Sequence, residues 1–277
     1  MSANAAECLR LVELHDRDRA LSLAFAPAAA KDDLAALYAF NYEVARVREQ
    51  VSQPLPGEIR LQWWRDTIEG ASPGEAAANP VAAALLETIE RHQLPRDAFD
   101  RMLEARIFDL YDDPMPSRDA FEAYAGETAS TLIMLAGLVL SRGEAGEVAD
   151  AAGHAGVAQL VAGTLLLLPL HRARQQVFLP ADMLQAAGCT PEELLRGDAG
   201  PATRAVSAMV ALGREHLVAF HRHAADMPRA IRPAFLPATL AGRYLDRVEA
   251  AGSSVLDRPV TIAAPRKSFD YWRWMRH

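Results

Sequence analysis

The sequence predicts an all-α protein folded as a single helical bundle. Three observations carry that expectation. Apolar residues recur at three- and four-residue spacing along nearly the whole chain. Alternating β-branched runs of strand length are hard to find. The 277 residues are 51% hydrophobic, enough for a substantial core, and no linker or internal repeat divides them. One domain over 1–277 is expected, with the helix at 1–15 and the tail at 253–277 peripheral.

Each element has its own signal. A first helix covers Ala5 to His15, and Pro27 separates it from a second that starts at Lys31-Asp32-Asp33, where acids suit a helix N-terminus, and runs to Val51. Its inner face holds Leu34, Leu37, Tyr38, Asn41, Val44, Ala45 and Arg48. Gln53-Pro54-Leu55-Pro56-Gly57 reads as a break before a helix over Glu58 to Glu69. Helices over 80–92 and 95–111 each open with a proline tolerated in the first turn. Asp112-Asp113-Pro114 breaks the chain, and Ser117 caps a long helix to Leu140. A further long helix spans Gly143 to Leu168, stopped or kinked by Pro169. A short helix ends near Gly188, another starts at Thr190-Pro191, and long helices cover 201–225 and 232–250. The tail from Ser253 reads as irregular.

Composition excludes several classes. A net charge of −7 and a pI near 5.6 give no electrostatic footprint for nucleic acid, so no nucleic-acid partner is expected. Cys8 and Cys189 are the only cysteines and lie far apart, which leaves neither a disulfide framework nor a CxxC zinc site and favours a reducing compartment. The N-terminus lacks a basic segment followed by an apolar core, so no secretory signal is expected. The longest apolar run, Gly156 to Leu170, contains Gln159 and Pro169 and is shorter than the roughly 20 residues of a membrane span. A bacterial cytoplasmic location, with contact to the inner membrane from its periphery as the variant, is the expectation.

Four stretches in a fixed order resemble the squalene/phytoene synthase family. They are LAALYAFNYEVARV (34–47), FDLYDD (108–113), YAGETASTLIMLAG (124–137) and VFLPADMLQAAGCTPEEL (177–194). The resemblance runs from Asp16 to about Leu245 and implies an isoprenoid-synthase bundle around a central cavity. It also implies a reaction, the joining of two prenyl diphosphates, that uses two DxxxD motifs on facing helices. Carboxylates at i and i+4 point the same way from a helix and suit a hard cation such as Mg2+, which clamps the diphosphate and stabilises its departing charge.

Here those motifs are degenerate. Aligned on Tyr38-Ala39-Phe40, the first pair of positions holds Ala45 and Glu49; counted back from Leu179-Pro180, the second holds Leu167 and His171. Alanine and leucine offer magnesium nothing, and neutral histidine suits so hard an ion poorly. Two stretches, 39–70 and 167–180, resemble instead a subgroup of the superfamily that has lost the motifs, the one containing the assembly factor of respiratory complex I (the NADH:ubiquinone oxidoreductase) and its bacterial relatives. That resemblance implies a non-catalytic protein with protein clients among respiratory-chain subunits, or one holding an isoprenoid or lipid ligand in the old cavity, with no cofactor. The alternative is an active prenyl transferase that uses Mg2+ with a substituted ligand set.

Tyr38, Asn41, Arg48, Arg60, Asp109, Arg172 and Arg174 are the candidate pocket or anion-binding residues, and a solvated charged face is the alternative for the arginines. No catalytic residue and no metal ligand is assigned. Asp109, Asp112 and Asp113 read as helix-end solvation rather than a metal box. His216, His221 and His223 lack the i, i+4 pair that favours two zinc ligands on one helix face. At least one of Trp63 and Trp64 belongs in the core. The run Tyr271 to His277 mixes aromatics and cations, which suits packing on the domain surface or docking to a protein or membrane interface.

Overall fold

The computed structural model describes residues 2–71, 73–111, 113–141 and 149–276. Among them there is no strand, and eighteen α-helices form one bundle. Asp112, His277 and the start of the helix expected from Gly143 lie outside the described residues.

The N-terminal third builds one wall. Helix α1 (Ala3–His15), capped by the Ser2 hydroxyl, turns into α2 (Arg17–Leu23), whose cap is Asp16. Helix α3 (Lys31–Ala45) buries ten side chains and stops one residue before Arg46, which sits at φ −92°, ψ 0°. Helix α4 (Val47–Gln50) follows as a separate turn, so the single helix expected to Val51 is two. Helix α5 (Pro54–Glu69) takes the expected Pro-Leu-Pro break as its first turn, because proline has no N–H to lose there. Trp64 is buried against Phe40, while half-buried Trp63 donates its Nε1–H to Glu75 in α6 (Pro73–Ala78) at 3.0 Å. Helices α7 (Pro80–His92), capped by Asn79, and α8 (Arg96–Ile107) complete this wall.

The second half holds the longest packed pair. Helix α9 (Arg118–Ala125) starts at the Ser117 cap and passes through one π-helical turn, Gly126–Ser130, into α10 (Thr131–Ser141). The run Arg118–Ser141 is long and apolar enough to cross a membrane, yet much of it is buried in the bundle. Helix α11 (Ala149–Leu166) crosses that π turn at Gly156, where a Cβ would lie 2.1 Å from Ser130 Oγ and 2.5 Å from the Ser130 backbone nitrogen. Only glycine allows such an approach. Leu167 interrupts the helix at φ −90°, ψ 0° before α12 (Leu168–Ala173).

Two short helices, α13 (Ala181–Ala186) and α14 (Pro191–Arg196), follow, the latter with a capping box between Thr190 and Glu193. Helix α15 (Ala199–His223) packs along α11. The single helix expected at 232–250 is α16 (Arg232–Thr239) and α17 (Ala241–Ala251), because Pro237 inside the first removes a hydrogen bond just before the break. The tail is a correction to the sequence reading. It forms α18 (Ala264–Arg276), and Tyr271 within it is fully buried, its hydroxyl donating to the Asp18 carbonyl at 3.1 Å. At the other end, Cys8 and Val12 of α1 are fully buried too.

Candidate functional site

A cavity of about 370 Å³ opens between the α3–α4 break, the end of α8, the π turn, the α11–α12 break and α17. That volume lies within the range of small-molecule sites. Ala45, Glu49, Leu167 and His171 all line it, so the four residues that the sequence places at the metal-motif positions meet in space. Neither pair sits on one unbroken helix. Arg46 separates Ala45 from Glu49, whose amide donates to the Arg46 carbonyl at 2.9 Å. Leu167 is itself a break, 48% exposed at the cavity mouth.

Where two facing carboxylate pairs would hold metal, an ion pair stands. Arg174 Nη1 lies 3.6 Å from Glu49 Oε1, joining the segment after α12 to α4. Both side chains are substantially exposed, so the contact adds little stability. Its effect is on the local charge: the one surviving carboxylate already has a cation. His171 is held neutral, its pKa pushed down to about 4 by burial first and by the Arg174 charge second. Its ring packs on Phe178 at 4.5 Å, and its buried Nδ1 has no hydrogen-bond partner.

The cavity floor is a hydrogen-bonded cluster around Asp109. Tyr124 donates its hydroxyl to Asp109 at 2.8 Å; Arg106 reaches that hydroxyl at 2.7 Å, the Asp109 carboxylate at 3.2 Å and Asn41 Oδ1 at 3.4 Å. Burial raises the Asp109 pKa above the usual carboxylate range, with Arg106 and the Tyr124 hydrogen bond pulling it back. Burial likewise raises the Tyr124 phenol, so it stays protonated and serves as a donor. The π turn sets this geometry: Thr128 bonds back to the Tyr124 carbonyl at 2.6 Å and Thr131 to that of Gly126 at 2.9 Å.

Three candidates from the sequence lie elsewhere. Tyr38 is buried against Arg19 and is absent from the cavity lining. Arg60 bonds Gln50 on the outer side of α5, beside a separate groove. Arg172 points away from the cavity and ties loops together, donating to the Leu195, Leu256 and Arg196 carbonyls and pairing with Asp257. Asn41, Arg48, Asp109 and Arg174 do line the cavity. Sequence reasoning missed Arg106, Tyr124 and Gln159. Tyr124 opens the motif at 124–137, and that position was the available signal. Arg106, one turn before Asp109, looks in sequence like any surface charge of an amphipathic helix.

The histidines on α15 divide. His221 Nδ1 lies 2.7 Å from the Leu217 carbonyl, while His216 meets His154 of α11 with 3.0 Å between Nδ1 atoms. Among the described residues no group of three or more His, Cys, Asp or Glu is placed to hold a metal ion.

Residues 12–266 match the squalene/phytoene synthase family model. The chain belongs to that family. Among curated relatives, NADH dehydrogenase (ubiquinone) complex I assembly factor 6 of Rattus norvegicus is 33% identical, over 87% of this chain and 73% of its own. The Homo sapiens protein of that name is 30% identical over the same shares. Among solved structures, squalene synthase HpnC from Alicyclobacillus acidocaldarius superposes with a TM-score of 0.78 at 19% identity, covering 93% of this chain and 95% of that one. A dehydrosqualene synthase solved with a ligand gives 0.83 at 15% identity, covering 99% and 95%. The isoprenoid-synthase fold expected from the sequence is therefore present.

Magnesium, which the family's chemistry implies, does not fit these residues. The lining carboxylates are Asp16, Asp18, Glu49 and Asp109. Each is already paired with a protein cation: Arg19, Lys267, Arg174 and Arg106 respectively. A hard dication needs several unpaired oxygen ligands, and here it would have to displace a cation for each one.

Proposed function

We propose that this member of the squalene/phytoene synthase family is non-catalytic and acts as an assembly-type factor for respiratory complex I. The observation that carries the reading is the Glu49–Arg174 pair, which occupies the junction of the two former metal motifs with a protein cation. The 30–33% identity to the rat and human complex I assembly factors supports the choice of client, respiratory-chain subunits. No cofactor takes part, and the protein works in the bacterial cytoplasm at the periphery of the inner membrane.

The cavity retains a role as a binding site for an uncharged lipid-like molecule. Its four lining arginines (Arg19, Arg48, Arg106, Arg174) balance four lining carboxylates, 4 − 4 = 0, so the site offers a diphosphate no net attraction. Three buried polar atoms of lining residues, Gln159 Oε1, His171 Nδ1 and Arg106 Nε, lack partners among the described residues, and a ligand hydroxyl or a water would donate to the first two or accept from the third. Leu160, Leu166, Leu170 and Phe178 supply the apolar surface for a hydrocarbon chain.

Affinity purification of the tagged chain from its host tests the client. Recovery of NADH:ubiquinone oxidoreductase subunits, together with loss of assembled complex on gene deletion, is expected. A normal complex in the deletion strain would sink the assembly reading. Native mass spectrometry tests the ligand: a retained neutral lipid is expected, and one carrying a diphosphate would contradict the charge argument.

A further inference from the structure

Helix α18 is anchored on one side and bare on the other. Its inner side is fixed by buried Tyr271, by Asp270, which Arg243 grips with two hydrogen bonds, and by Trp274 lying 5.4 Å from Phe220. Its outer side exposes Phe269 (47%) and Trp272 (46%), whose rings are 5.8 Å apart. Guanidinium groups flank both rings. Arg266 stands 5.5 Å from the Phe269 ring and Arg276 4.6 Å from that of Trp272, with Arg273 exposed beside them. Asp270 is the sole carboxylate of the helix and is turned inward, as is Lys267, which pairs with Asp18. Arg266 is offset in part by Asp270, 3.5 Å away, so the outward face of α18 carries the charges of Arg273 and Arg276 and no acid of its own, on a chain whose net charge is −7.

We propose that this face docks the protein on an anionic phospholipid surface. Two exposed aromatic rings interleaved with arginines match a helix lying at the bilayer interface, where the rings enter the headgroup region and the guanidinium groups reach phosphates. A helix built to fill a protein groove would present a continuous apolar row at i, i+3, i+4 and i+7, and here the rings are only two. The inference deepens the proposed membrane-peripheral location and is independent of the client.

The test is co-sedimentation of the full chain with phosphatidylcholine vesicles, with and without phosphatidylglycerol. Each arginine near an anionic surface contributes about fivefold at low salt, so Arg273 and Arg276 together predict about a twenty-five-fold preference for anionic vesicles, fading as ionic strength rises. Arg273→Gln and Arg276→Gln should each remove about fivefold. Trp272→Ser should weaken binding with the circular dichroism spectrum and melting temperature unchanged, because the ring is exposed. Arg101→Gln, on the remote α8, should bind like the parent chain. Equal binding to neutral and anionic vesicles would overturn the proposal, as would variants that bind normally. So would an effect of Trp272→Ser confined to self-association on size exclusion. The assay contains no client, so its failure leaves the assembly reading standing.

Discussion

His171 shows how one substitution changes a site's chemistry without emptying it. A carboxylate there would attract a metal; the imidazole is buried, beside Arg174, and binds its proton less readily folded than unfolded. Above the unfolded value of about 6.5 both states are neutral and no penalty arises. As pH falls from there towards 4 the unfolded chain gains a proton that the folded one refuses, so stability declines, by about 3 kcal/mol at most. Urea denaturation at pH 7.5 and pH 4.5 checks this: the parent chain should lose stability between them, and His171→Leu should lose distinctly less. Asp109 is the complementary case. Asp109→Ala leaves the Arg106 guanidinium buried without its carboxylate and should lower stability by about 3–5 kcal/mol, whereas Tyr124→Phe, which removes the hydrogen bond donated to Asp109 and the one accepted from Arg106, should cost about 1–3. Thermal melts of the two variants give the ranking. That Ala45 and Leu167 share one cavity was legible in the sequence because the flanking aromatic and Leu-Pro residues set the register against the family pattern. The roles of Arg106 and Arg172 were not. Sequence shows an arginine's position, but not whether its flexible arm reaches into a cavity or back onto loop carbonyls.

Helix starts were readable where capping chemistry is local, as at Ser117 and at the Thr190–Glu193 capping box. The helix break at Arg46 was not, since that residue is neither glycine nor proline; the break at Leu167 falls two residues before Pro169, which was expected to stop or kink that helix and sits in the first turn of α12. Those two breaks matter most for function because each splits a metal-motif pair. The π turn at Gly126–Ser130 was equally hidden: its sequence suits an ordinary helix, and what marks it is the crossing of α11 at Gly156. Gly156→Ala should therefore be disruptive, by about 1–3 kcal/mol, as a Cβ meets Ser130. Ser130→Ala should not rescue it, because the Ser130 backbone nitrogen is also only 2.5 Å from that Cβ. Denaturant midpoints of the single and double variants decide the matter. The tail read as irregular because its aromatics and arginines lack a clean apolar stripe. Its stability comes from Tyr271 and Asp270 meeting partners distant in sequence.

On the scale of the whole molecule, an isoprenoid-synthase bundle holds a cavity whose lining arginines and carboxylates are equal in number. Fold class and family could both be read from the chain. The balance of charge could not, because it depends on which arginines and carboxylates of separate helices the fold brings to the lining. Restoring Asp at Leu167 and His171 alone should not rebuild a magnesium site, since Ala45 on the facing wall still supplies no ligand and Glu49 remains paired with Arg174. The most direct test of this account is calorimetric titration of the unmodified protein with farnesyl thiodiphosphate, a non-reacting analogue, with and without Mg2+. The account predicts no magnesium-dependent binding; affinity that rises tenfold or more when Mg2+ is added would contradict it.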